Sequence, residues 1–209
     1  MMLRHCRARL KFIHECGCVS MPLARLALTV PEAAFVTQSS VRGVNSEIDA
    51  GIVSGHGKPV REIGSADLLY LATVRDLRVD LTPALRQRLR NAIAAAHDAR
   101  RNTAQVSHLS VALDAVEAEL ADRLQILDRL RNEAIEQNAE IMGGEPVLRG
   151  TRIPARHVAD MVRHGASPES LAEEFDLTSD QVSAAILFDR VSPRQGRPPR
   201  KARSVVPPS

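Results

Sequence analysis

Three glycines and two prolines punctuate the fifteen residues Glu140-Ile141-Met142-Gly143-Gly144-Glu145-Pro146-Val147-Leu148-Arg149-Gly150-Thr151-Arg152-Ile153-Pro154, and this is the most specific stretch of the chain. Gly143, Gly144 and Gly150 permit turns that other residues resist, while Pro146 and Pro154 fix the backbone on either side of a short apolar ribbon. A long helix cannot run through it. Beyond it the pattern predicts three short helices: Ala155 to His164, ended by Gly165; one opened by Ser167-Pro168 and carrying Leu171, Ala172 and Phe175; and one opened by a capping box, Thr178 with Gln181, carrying Val182, Ile186 and Phe188. The turn at Asp176-Leu177 gives the last two the spacing of a helix-turn-helix.

The first half has a similar rhythm. Thr29-Val30-Pro31-Glu32 reads as a helix start, with Thr29 as cap and Glu32 closing a capping box, and the helix runs to about Gln38. Ser39-Ser40 marks a turn and a second cap. Val41, Val44 and Ile48 then recur at helical spacing until Gly51, which turns Arg42, Asn45, Ser46 and Asp49 outward. Two short helices so joined, the second polar on its free side, again form the helix-turn-helix pattern. Ile52-Val53, a Ser54-Gly55-His56-Gly57 turn and Lys58 to Ile63 read as a small hairpin or wing, with Lys58 and Arg61 in reach of a phosphate. Ser65 is expected to cap a helix to about Asp76, and Thr82-Pro83 to open another, with Leu85, Leu89 and Ile93 on one face and Arg86, Arg88 and Arg90 on others. Two capped helices and a hairpin also suit a small packed domain with no ligand. Glu47 and Asp49 on the second helix would repel phosphate and speak for that alternative.

Between the halves, residues 98–108 are polar and read as a linker. One short strand follows, His108 to Leu113, then an amphipathic helix from about Asp114 with Leu120, Leu124, Leu127 and Ala134 as its stripe. With Arg123, Asp128, Arg129 and Arg131 beside it, the stripe suits either a dimer seam or packing within the chain.

The 209 residues leave room for two small domains, and one tyrosine, four phenylalanines and no tryptophan favour helical cores of Ala, Leu, Val and Ile over a large β-sandwich. Charge is divided unevenly: residues 102–189 hold seven basic and sixteen acidic side chains, whereas residues 190–209 hold six basic and none acidic. A polyanion should therefore meet the first half or the tails, not the acidic second half. Cys6, Cys16 and Cys18, with His5 and His14, lack the recurring four-ligand spacing of a zinc site, so no metal or cofactor is expected. Met21 offers an alternative start, and residues 1–25 read as a disordered or mis-annotated beginning. No apolar stretch reaches membrane-spanning length and the beginning is too polar for a secretory signal, so a cytoplasmic location is expected. No phosphate-binding loop or histidine–nucleophile cluster is present, and no enzymatic activity is expected.

Pro31-Glu32-Ala33-Ala34 and Ala66-Asp67-Leu68-Leu69-Tyr70-Leu71, in this order around a second helix and a wing, resemble the winged helix-turn-helix of the MerR and excisionase type over roughly residues 26–97. The resemblance implies major-groove contacts by Arg42, Asn45 and Ser46, with Lys58 and Arg61 beside them. Residues 126–190 closely resemble the family catalogued as domain of unknown function 433, whose hallmark stands here as Gly143 to Pro154 followed by Gly165-Ala166-Ser167-Pro168 and a helix. Such domains are associated with VapB-type antitoxins. The resemblance implies a type II toxin-antitoxin system, a VapC-type toxin with a PIN-type ribonuclease fold as partner, an operator DNA and a homodimer within the complex; the alternative is a stand-alone transcription regulator. The expected fold is mainly α: two small helix-turn-helix modules, the first winged, at 26–97 and 126–190, short β-hairpins, and a connecting strand and helix at 98–125.

Two arginine sets are candidates for the toxin. Arg149, Arg152 and Arg156 form a cationic cluster on an acidic module, suited to a carboxylate-rich surface or DNA, or else to ordinary pairing with Glu140, Glu145 and Asp160. The tail over residues 191–209 is basic, proline-rich and expected to be disordered when free. Arg194, Arg197 or Arg200 could enter the carboxylate cluster of a PIN-type ribonuclease and displace its cation. Non-specific attraction to DNA and simple solubilisation are the competing roles.

Overall fold

The computed structural model of the chain describes residues 27–55, 61–77 and 80–193, and these are mainly α-helical with only short antiparallel strand pairs. Strand β1 (Leu28–Thr29) leads into α1 (Val30–Val36), where the Glu32 carboxylate accepts from both the N–H and the hydroxyl of Thr29 at 2.8 Å, the reciprocal half of the expected capping box. Gln38 takes a positive φ to make the turn, and Ser40 caps α2 (Val41–Asp49) by accepting from the Gly43 N–H at 3.0 Å.

The expected wing hairpin is paired differently. Strand β2 (Glu62–Ile63) joins β1, Leu28 opposite Ile63, and not Ile52-Val53. The reason lies at the end of α2: the N–H groups of Ile52 and Val53 both donate to the Glu47 carbonyl and both side chains are buried, so this dipeptide closes the helix. His56 to Val60, including Lys58, lie outside the described residues.

Helix α3 (Ser65–Val74) begins one residue earlier than expected, with Gly64 in the cap position and Ser65 inside the helix. Thr82 caps α4 (Pro83–Asp98), whose Leu89, Ile93 and Ala96 are buried. The expected short strand is present as β4 (Leu109–Ala112), and the segment read as a linker supplies its partner, β3 (Thr103–Val106), whose Ala104 and Val106 are buried. Alternation over four residues with only Ala and Val on the inner face left little to distinguish it from polar loop.

Helix α5 (Leu113–Arg129) follows at once, with Leu120 and Leu127 buried, and ends in a π-helical turn over Leu130–Ala134. It packs against α1 and α3, so its stripe is spent within the chain. The buried residues form one continuous core from Leu28 to Val191. Two further links cross the halves: Arg131 forks onto Glu32 at 2.6 and 3.0 Å, and Arg75 pairs with Glu119. Glu119 first, and then Asp76, hold the Arg75 guanidinium above its ordinary pKa.

In the second half, β5 (Ile135–Glu136) pairs with β6 (Val147–Leu148), which folds back through Gly150 onto Ile153-Pro154. Gly150 has a φ of 76°, and no atom would meet an added Cβ. Replacing it with alanine should therefore cost only the left-handed penalty of about 1–2 kcal/mol, checked by denaturant unfolding. Helices α6 (Ala155–Arg163), α7 (Pro168–Glu174) and α8 (Ser179–Val191) stand where the pattern placed them, each with its expected stop or cap. On α8 the buried positions are Val182, Ala185 and Val191, whereas Ile186 is exposed. Among the described residues no helix is long and apolar enough to cross a membrane.

Candidate nucleic-acid and partner surfaces

The outer side of α2 is built from Arg42, Asn45 and Asp49, spaced three and four residues apart, with Ser46 beside them. Arg42, Ser46 and Asp49 are exposed and Asn45 is half-buried. Arg61, entering β2, lies across this stripe: its Nη1 donates to the Asn45 side-chain oxygen at 2.6 Å and its Nη2 to Asp49 at 3.1 Å. Four of the five residues expected to face DNA are thus brought to one face, and the fifth, Lys58, lies outside the described residues.

Glu47 does not belong to that face. Its carboxylate is fully buried, accepts from the Tyr70 hydroxyl at 2.9 Å and pairs with Arg86 of α4. The expected repulsion of phosphate by Glu47 is corrected accordingly: the side chain points into the core, and its spacing from Val44 and Ile48 already places it on the apolar stripe. Asp49 stays outside, but its charge is paired with Arg61. A second buried acid, Asp67, accepts from Arg90 at 2.9 Å and from the Ser54 N–H at 3.2 Å, and Arg90 also donates to the Ser54 hydroxyl. Two carboxylates therefore join α2 and the residues after it to α3 and α4. Sequence inspection placed Arg86 and Arg90 off the apolar face and missed both pairings, which span 39 and 23 residues.

The arginine cluster of the second half is dispersed. Arg149 sends its guanidinium to the carbonyls of Glu133 at 2.9 Å, Asn132 at 3.0 Å and Ile135 at 3.4 Å. It thereby satisfies acceptors that the end of a helix leaves open. Arg156 lies 5.4 Å from the centre of the Phe188 ring and reaches the Ser192 hydroxyl at 3.4 Å, holding α6 against α8. Arg152 is exposed at the ribbon turn, with Thr151 beneath it tied to the Leu148 carbonyl. Arg194, Arg197 and Arg200 lie outside the described residues. Arg149→Ala should lower stability by about 1 kcal/mol, and lysine should not restore it because a single ammonium cannot span three carbonyls; thermal melts of the two variants check this.

A groove of about 650 Å³ lies between the end of α5 and α8, lined among others by Glu32, Arg131, Arg149 and Phe188. Of its charged groups, Glu32 and Arg131 pair with each other and Arg149 is bound to backbone carbonyls. Among the described residues no three His, Cys, Asp or Glu side chains are grouped to hold a metal.

A family model described as a protein of unknown function (DUF433) matches residues 135–188, which run from β5 to near the end of α8. The uncharacterized protein y4eO of Sinorhizobium fredii (strain NBRC 101917 / NGR234) is 30% identical over 193 residues, covering 85% of this chain and 86% of that protein. The crystal structure of Rv2018 from Mycobacterium tuberculosis covers 76% of this chain and 95% of its own at 15% identity, with a TM-score of 0.32, a likeness too loose to carry any argument. The match to y4eO extends over both halves and their junction, so the chain belongs to the family of that protein and bears the DUF433 module in its second half.

Proposed function

We propose that the chain is a DNA-binding antitoxin of a type II toxin-antitoxin system, whose first half is a helix-turn-helix that reads operator DNA and whose second half and tail hold a PIN-type ribonuclease. The observation that carries the DNA part is the outer face of α2. With Glu47 turned inward and Asp49 paired, that face offers Arg42, Asn45, Ser46 and Arg61 to a groove. The toxin part is supported by the DUF433 match together with the resemblance of such modules to VapB-type antitoxins. Because Arg149 and Arg156 are engaged inside the module, the toxin-facing cations reduce to Arg152 and the tail arginines Arg194, Arg197 and Arg200.

Duplex DNA from immediately upstream of the gene should be retarded by the protein, with affinity falling steeply as salt rises. Arg42→Ala should weaken that binding by roughly tenfold if the arginine meets a base edge. Salt-independent or absent binding in a mobility-shift titration contradicts the DNA reading. A chain ended after Pro193 should retain DNA binding but lose neutralisation of the toxin; full neutralisation by that chain would remove the tail from the account. The stand-alone regulator remains the second reading, favoured by the internal engagement of Arg149 and Arg156.

A further inference from the structure

We infer that Arg61 is a guanine-reading residue and that Asp49 is its positioning residue. This deepens the proposed DNA reading and rests on it. Arg61 comes from outside α2, yet its guanidinium lies over the C-terminal half of that helix, gripped at two nitrogens by acceptors one helical turn apart: Asn45 at 2.6 Å and Asp49 at 3.1 Å. The Asn45 amide is itself fixed, since its Nδ2 donates to the Val41 carbonyl at 3.1 Å. The backbone and side chain of Arg61 also lie 3.5–3.7 Å from where a Cβ on Gly55 would stand, so the arginine is laid closely against the residues that follow α2.

A guanidinium has five N–H donors in a planar fork, and two are spent here. The remaining donors suffice for two parallel bonds to O6 and N7 of a guanine, the pairing that an arginine makes in the major groove. The side chain of Arg61 is 35% exposed, so the fork is not wholly enclosed by its two partners on α2. Asp49 is 61% exposed and would repel a phosphate placed on it, so the pair suits a base edge better than the DNA backbone. An arginine whose rotamer is fixed before binding also loses less side-chain freedom on meeting its base. The acid that looked like an obstacle on α2 thus becomes the device that aims the arginine.

The test uses the full chain and a random duplex DNA library. Successive rounds of selection define the preferred sequence, and the wild type, Arg61→Ala, Arg61→Lys and Asp49→Asn are then titrated against the preferred duplex and against duplexes changed at each guanine. Wild type should discriminate against replacement of one guanine by roughly tenfold or more. Arg61→Ala and Arg61→Lys should lose that discrimination at that position alone. Asp49→Asn should lose part of it while binding unrelated duplex more tightly than the wild type, because it removes a negative charge from the DNA-facing side of α2; a merely structural role for Asp49 would weaken both. The inference is overturned if Arg61→Ala weakens binding equally on all duplexes and lowers the salt slope by about one phosphate contact, or if Asp49→Asn discriminates as the wild type does. If the wild type enriches no sequence, the DNA reading itself fails, an outcome distinct from either. Thermal melts of each variant exclude loss of fold as the cause.

Discussion

Glu47→Ala is expected to lower the unfolding free energy by about 3–5 kcal/mol, the loss that follows when one partner of a buried charge pair is removed. Glu47 is fully enclosed, its two oxygens are taken by Arg86 and the Tyr70 hydroxyl, and the Arg86 side chain is only 15% exposed. Alanine takes away the carboxylate that pairs with the Arg86 guanidinium and accepts from the Tyr70 hydroxyl. Among the described residues the Arg86 Nε atom has no hydrogen-bond partner. Replacing all three, as Glu47→Leu, Arg86→Met and Tyr70→Phe, should recover most of the loss, because apolar packing of similar volume removes the desolvation penalty together with the charges. Urea unfolding of the single and triple variants measures both effects. A single variant within 1 kcal/mol of the wild type would mean that α2 is not anchored through this acid.

The second large effect is expected from Leu120→Ala, at about 2–5 kcal/mol for a fully buried leucine. Its interest lies in where the loss appears. Leu120 sits in α5, which packs on α1 and α3 in the first half, while the π-helical turn that ends this helix packs on α8 in the second. With the core continuous, the chain should unfold as one unit and the variant should shift the whole transition. Tyr70, the sole tyrosine in a chain without tryptophan, reports the first half by its emission, and amide exchange in α8 reports the second. The two probes should move together. A shift seen by one and not by the other would show that the halves fold independently.

Much of this architecture was legible in the sequence because it is punctuated locally. Ser40, Thr82, Ser167 and Thr178 each accept the backbone bond that their position before a helix implies. Gly143 and Gly150 take the positive φ angles that the ribbon demands. The long-range features were not legible. That β2 would choose β1 over Ile52-Val53 depends on the latter being used to close α2, and the β3–β4 hairpin rests on only two buried side chains. For the candidate site, the exposure of Arg42 and Ser46 followed from helical spacing, and the same spacing would have turned Glu47 inward had its place beside Val44 and Ile48 outweighed its charge. Arg149 and Arg156 read as free cations because a guanidinium bound to carbonyls or to a ring leaves no acidic partner in the sequence to betray it.

The most direct test of the antitoxin account is co-expression of the chain with the product of the neighbouring gene, followed by affinity purification and a mass measurement of the complex. The account predicts a stable complex with a protein of PIN-type ribonuclease fold and relief of the growth arrest that this protein causes alone. Recovery of the chain without the partner, with toxicity undiminished, would contradict it and leave a DNA-binding regulator in its place.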